Sequence, residues 1–333
     1  MANSIRFIKP LGFPWETEDP FLFCVYHLDH YPKGNEQMGP AASLEGRNLG
    51  NDFTLNAQGW RMYHGHTVPG FPYHPHRGFE TITIVNKGFC DHSDSLGAAG
   101  RFGQGDVQWM TAGRGVQHSE MFPLLREDRD NPLELFQIWL NLPKENKMVD
   151  PHFKMLWHEE IPEVTLEGVS VRIIAGSYQE KDAPLPAPDS WAIRKENHVA
   201  IWNLHLEPGA SFTFPGIPDD VTRTLYFYEG DSCVIDSTRI KPDNGIGLTS
   251  TEVEVTNNGL EAAHFLLLQG RPIAEPVAKY GPFVMNTDQE IQQAMQEYRL
   301  TQFGGWPWPY PDQVHDRDRG RFAKYPDGTL VEK

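Results

Sequence analysis

The sequence predicts an all-β fold in two domains with a short C-terminal helix and tail, and three observations carry that expectation. Proline (27) and glycine (30) punctuate the chain at short intervals, and 19 Phe, 11 Tyr and 9 Trp supply the residue types that many short strands joined by turns require. Apolar residues recur with period two in several stretches, while a helical period emerges only near the C-terminus. A length of 333 residues exceeds the roughly 100–200 that one domain needs, so two domains are expected.

The elements follow in order. FETITIV (79–85) alternates, with Glu80, Ile82 and Ile84 on one face and Phe79, Thr81, Thr83 and Val85 on the other, and Gly88 turns the chain. The Gly-rich stretch 95–105 reads as a mobile connection, DVQWMTAG (106–113) as a short strand bounded by glycine, and LELFQIWLNL (133–142) as another strand. Polar residues in PKENKMVD (143–150) mark the expected break, with a first domain over 1–145 and a second over 146–285. Strands at 171–175, 199–206, 224–229 and 264–268 give the second domain the spacing of a barrel or sandwich, and the proline-rich loop 181–190 crosses its surface. The remaining 286–333 holds one helix, opened by Thr287 and Glu290 as a capping box and continued by Ile291, Ala294, Met295 and Tyr298. GGWPWPYPDQ and the charged end beyond it read equally as a pinned tail or a disordered one.

Charge and cysteine usage exclude several classes. A net charge of −16 repels phosphate backbones and anionic lipid, so neither nucleic acid nor a membrane surface is an expected ligand. Three cysteines without a C-x-x-C pair point to a reducing compartment. The N-terminus has no apolar signal region and no stretch approaches the roughly 18 apolar residues of a membrane span, so a soluble cytoplasmic protein is expected.

The chemistry concentrates in two short motifs. Residues i and i+2 of a strand point the same way, so His74 and His76 in H-P-H share a cavity, as do His118 and Glu120 in V-Q-H-S-E. Pairs on neighbouring strands about 4.8 Å apart can converge on one ion, giving three imidazoles, one carboxylate and open positions for water, oxygen or substrate. Glu80 shares the parity of the first pair if the strand runs on unbroken. His64 and His66 sit in a Gly/Pro loop without a carboxylate and are read as structural, and His92 in CDHSDS is read as a loop residue. Arg77 and Arg114 flank the motifs and are expected to pair with a nearby acid such as Asp106. Trp109, Met110, Phe136 and Trp139 are expected in the core, and GRFGQG lacks the spacing and following helix of a phosphate loop.

At HPHRGFE, GDVQWMTAGRGVQHSEM and GPFVMNT the sequence resembles the pirin family, bacterial-type members of the cupin superfamily, over about residues 7–298. The resemblance implies a bicupin, two fused β-barrels of the double-stranded β-helix type, with a metal-binding first barrel and a metal-free second one. It implies one Fe(II) or Fe(III) ion held by His74, His76, His118 and Glu120, with Mn, Ni, Cu or Zn able to take iron's place. Many cupins ligate through the position of Glu80 instead, and the proline usual in the second cupin motif is absent from TAGRG. His198, His205 and His264 are too scattered in sequence to suggest a second centre. Two functions of different classes follow. One is a quercetin 2,3-dioxygenase that opens a flavonol ring with O2, Glu120 taking the proton of the 3-hydroxyl as catalytic base. The other is a metal- and redox-dependent regulator that binds an unidentified partner protein without turnover.

Overall fold

The computed structural model describes residues 4–333. Strands dominate, and the 14-residue segment Asp288–Thr301 is the α-helix among the described residues. Two compact units partition the described residues, and neither is continuous in sequence: one takes residues 4–25, 138–143 and 159–274, the other 26–137, 144–158 and 275–333.

In the first of these units a seven-stranded sheet runs Ile5–Pro10, Asn244–Leu248, Thr222–Glu229, Ala263–Gly270, Ala200–Leu206, Val169–Ala175 and Glu163–Leu166. A four-stranded sheet of Ser211–Phe214, Val253–Asn257, Cys233–Ile235 and Thr238–Ile240 accompanies it. Alternate residues from both sheets, among them Trp202, Leu204, Leu206, Phe212, Phe214, Phe265 and Leu267, form one buried core, as period-two patterning requires.

The other unit carries the two histidine motifs. Its six-stranded sheet is ordered Leu330–Glu332, Phe322–Lys324, Ala99–Gly103, Phe89–Asp94, Val116–Met121, Gly70–His76. A five-stranded sheet is ordered His152–Leu156, Val107–Thr111, Phe79–Lys87, Asn131–Asn141, Phe21–Tyr31, of which residues 131–137 and 26–31 of the last two strands fall in this unit. Thr81, Thr83 and Val85 share a face with Met110, Gln108, Phe153 and Met155 through the register of their strands. That face is the inner wall of the barrel, since Thr83 reaches Glu120 of the other sheet and Phe153 stacks on His92.

Two segments depart from their expected form. The stretch 95–105 contains the buried strand Ala99–Gly103, because glycine permits close approach: a Cβ on Gly103 would meet the Gly88 carbonyl at 2.2 Å. The polar segment 143–150 buries Lys147, whose Nζ donates to the Gly78 carbonyl at 2.8 Å, and burial lowers its pKa to about 8. The helix does open on the expected capping box, with Thr287 Oγ1 accepting from the Glu290 N–H. The segment beyond it is a pinned tail rather than a disordered one. Arg101, fully buried, donates to the carbonyls of His315, Asp316, Arg317 and Arg319 while gripping both oxygens of Asp91 at 2.7 Å. Phe322–Lys324 then pairs antiparallel with Ala99–Gly103.

Candidate metal centre

Proline cannot donate to a ladder, so H-P-H belongs on a sheet edge, and Gly70–His76 is the last strand of its sheet. It pairs antiparallel with Val116–Met121 in a register that sets His74 directly opposite His118 and Pro75 opposite Gln117. The side chains of His74, His76, His118 and Glu120 therefore face one way. The donor nitrogens of the three histidines all lie within 4.8 Å of one another. Ring centroids are 4.8 Å apart for His74 and His76, 4.5 Å for His74 and His118, and 4.9 Å for His76 and His118.

The electronic state of these rings suits a ligand role. His74 Nδ1 lies 2.9 Å from the Pro72 carbonyl, which places its proton there and leaves Nε2 with a lone pair. Burial pushes the pKa of His74 down to about 4 and holds His76 and His118 well below the ordinary imidazole range. Both ring nitrogens of His118 are buried without a hydrogen-bond partner, a costly arrangement that a coordinated cation would relieve. By donor type, burial and neutrality the three imidazoles fit a divalent first-row ion.

Glu120 stands at the edge of this nitrogen cluster, its Oε2 3.9 Å from His118 Nε2. Gln137 Nε2 donates to that oxygen at 2.8 Å, and the Thr83 hydroxyl lies 2.8 Å from Oε1. Burial raises the carboxyl pKa, and the two hydrogen bonds oppose the rise. Thr83 and Gln137 carry no motif of their own. What marks Thr83 in the sequence is its place on the Thr-bearing face of FETITIV, which becomes the inner wall.

Other histidines and acids resolve individually. The Gly70–His76 strand ends at His76, and the chain turns at Gly78 (φ +87°) before Phe79–Lys87 begins, so Glu80 does not inherit the parity of His74 and His76. Its Oε1 accepts from the Thr111 hydroxyl at 2.7 Å instead. His92 is a fully buried strand residue, paired opposite Glu120 with its Nε2 3.1 Å from Asp94 Oδ2, so the loop assignment is corrected. His64 does lie in a loop, held to the Gly50 carbonyl at 2.6 Å. Arg77 pairs with Glu297 at 2.9 Å and Arg114 with Asp150 at 3.0 Å, whereas Asp106 takes Arg321 at 2.7 Å. Trp109, Met110 and Phe136 are buried as expected. His205 and His264, distant in sequence, are cross-strand partners whose rings stack at 4.7 Å. The triad at His74, His76 and His118 is nevertheless the only group of three or more such donors among the described residues.

Comparison with known proteins gives a consistent answer. Residues 35–140 match the family model described as Pirin, and residues 201–304 match the one described as the Pirin C-terminal cupin domain. A pirin-like protein of Solanum lycopersicum is 39% identical over 238 residues, 71% of this chain and 77% of its own length. A Pseudomonas aeruginosa protein provisionally named a quercetin 2,3-dioxygenase is 38% identical over 238 residues, 70% of this chain and 79% of its own. Among solved structures, a quercetin 2,3-dioxygenase from Acinetobacter baumannii aligns with a TM-score of 0.69 at 29% identity, covering 91% of this chain and 96% of that one.

Proposed function

The chain belongs to the pirin family of two-domain cupins, and from that premise we propose that it is a metal-dependent dioxygenase of the quercetin 2,3-dioxygenase type, opening a flavonol ring with O2. The observation that carries the reading is the cluster of three neutral imidazoles, two of them on buried residues, beside a carboxylate of raised pKa. His74, His76 and His118 would hold the ion with Glu120 as the fourth ligand, and iron is the metal proposed. A bound ion supplies Lewis acidity and a centre for electron redistribution between an aromatic substrate and O2.

The protein's own part is positional and acid–base. Glu120 accepts the proton of the flavonol 3-hydroxyl, and its raised pKa makes it a stronger base than an exposed glutamate. Gln137 and Thr83, each 2.8 Å from one carboxylate oxygen, fix the plane of that carboxylate. Because burial keeps the imidazoles unprotonated, none has to lose a proton before binding an ion near neutral pH. All three cysteines are buried and unpaired, which supports a reducing, cytoplasmic site of action.

Anaerobic loading of the apo-protein with Fe(II), followed by oxygen uptake on adding quercetin, tests the reading. Uptake is expected to require iron and to vanish in Glu120→Gln; uptake retained in that variant overturns the role of Glu120. No uptake across iron, manganese, nickel and copper overturns the dioxygenase itself.

A further inference from the structure

The Gly70–His76 strand supplies two of the three imidazoles from a sheet edge, where a strand has one neighbour and opens most easily. Its ends are tied down locally. Gly70 N–H donates to the Met62 carbonyl, and Arg77 pairs in parallel with Phe283. Its middle, next to His74, is held from outside by the tail. Tyr73 N–H donates to the Pro311 carbonyl at 2.8 Å, and the Tyr73 ring stacks on Trp306 with centroids 5.1 Å apart.

The neighbouring strand is gripped from the same quarter. Gln117, adjacent to His118 and fully buried, donates through Nε2 to the carbonyls of Gln302 and Gly305 at 2.7 and 3.1 Å and accepts from the Tyr298 hydroxyl at 2.9 Å. Tyr73 and Gln117 occupy outward positions that alternate with the inward histidines, so each lies one peptide unit from a ligand. The gripping segment is itself anchored, with Trp308 Nε1 donating to the Asp94 carbonyl at 2.8 Å and the following residues locked by Arg101. Everything past residue 304 lies outside both matched family spans.

We propose that residues 298–311 are a clamp on the outer face of the two ligand strands, in which Gln117, Tyr298 and Trp306 are positioning residues that hold His74, His76 and His118 together and so set the affinity of the site for its ion. The proposal rests on the metal-centre reading above. An open edge strand lets His74 and His76 drift from His118, and the free energy spent in regathering them is subtracted from binding. The clamp removes that cost before the ion arrives. Substitutions of groups that orient ligands without touching the metal lower affinity by about 10- to 100-fold, which sets the expected size of the effect.

The test uses full-length apo-protein, Co(II) as probe, and a competing chromophoric chelator to read affinity. Trp306→Ala and Gln117→Ala are each expected to bind Co(II) about tenfold more weakly, with a changed ligand-field spectrum and faster hydrogen exchange at the Tyr73 amide. Trp306→Phe, which keeps a ring on Tyr73, is expected to restore most of the affinity. Trp306 is half-exposed, so its removal leaves the fold intact even if Gln117→Ala does not fold. Wild-type affinity and spectrum in Trp306→Ala overturn the clamp. A wild-type protein that takes up no Co(II), or a His118→Ala variant that still binds it tightly, overturns the metal centre on which the clamp depends.

Discussion

Arg101 uses all of its donor groups inside the protein, and replacing it tests how the tail is held. Its Nε and Nη2 bind the two oxygens of Asp91 at 2.7 Å, and Nη1 and Nη2 serve four tail carbonyls between His315 and Arg319. Asp91 and Arg101 are both fully buried. In Arg101→Met the aspartate keeps the His315 N–H at 2.8 Å but loses its counter-charge, which costs about 3–5 kcal/mol for a buried pair broken on one side. The carbonyls add little, because a tail that lifts can offer them to water. Set against a typical domain stability of about 5–15 kcal/mol, this loss shifts the urea midpoint strongly. Hydrogen exchange should place the added opening in residues 315–324. In Arg101→Met/Asp91→Leu no charge remains buried, and most of the loss should return, less about 1 kcal/mol for the orphaned His315 N–H. A single variant within 1 kcal/mol of wild type, or a double variant no better than the single, refutes the assignment.

Gly78→Ala forces a Cβ to 1.9 Å from the Val284 carbonyl at φ +87°, and chemical denaturation should show a loss of about 3 kcal/mol. His27 is buried, and burial lowers its pKa from 6.5 to about 3, so between those values the unfolded chain binds more protons than the folded one. Stability is then lost as pH falls below 6.5, by about 2 kcal/mol at pH 5, and an equally steep acid profile in His27→Phe would contradict this. Thr83→Val removes one of the hydrogen bonds that oppose the raised Glu120 pKa, and the acid limb of the oxygen-uptake profile should move up by about one pH unit. An unmoved limb would mean that Glu120 does not govern it.

The histidine-bearing strands were legible because their chemistry and their geometry share one period. His74, His76, His118 and Glu120 are each spaced by two, and a strand needs nothing more to aim them together. The helix start was legible because the Thr287 cap is local. What depended on long-range pairing was not. CDHSDS has the composition of a loop, and His92 becomes a strand residue because flanking strands pair with it on both sides. Lys147 looks solvent-bound in a polar run, yet the Gly78 carbonyl, 69 positions earlier, receives its ammonium. Glu80 shows the converse error: the rule of two held on each side of Arg77 and Gly78 but not across the turn they make.

The alternation that aims the histidines inward also determines where the site is vulnerable. On a central strand the outward residues would meet other secondary structure along both edges, and the histidines would inherit that rigidity. Pro75 places the H-P-H strand at an edge, so the missing neighbour must be supplied by something that needs no ladder hydrogen bond from the proline. The tail meets that requirement by accepting nothing from position 75: it accepts from Tyr73 N–H, stacks on the Tyr73 ring, and serves Gln117 across the pair. The same tail is fixed by Arg101 from the far strands of the sheet. Arg101→Met should therefore weaken Co(II) binding as well as stability, although its strand lies two strands from that of His118 and three from that of His74 and His76. A stability loss with unchanged Co(II) affinity would separate the anchor from the clamp and assign the clamp to residues 298–311 alone.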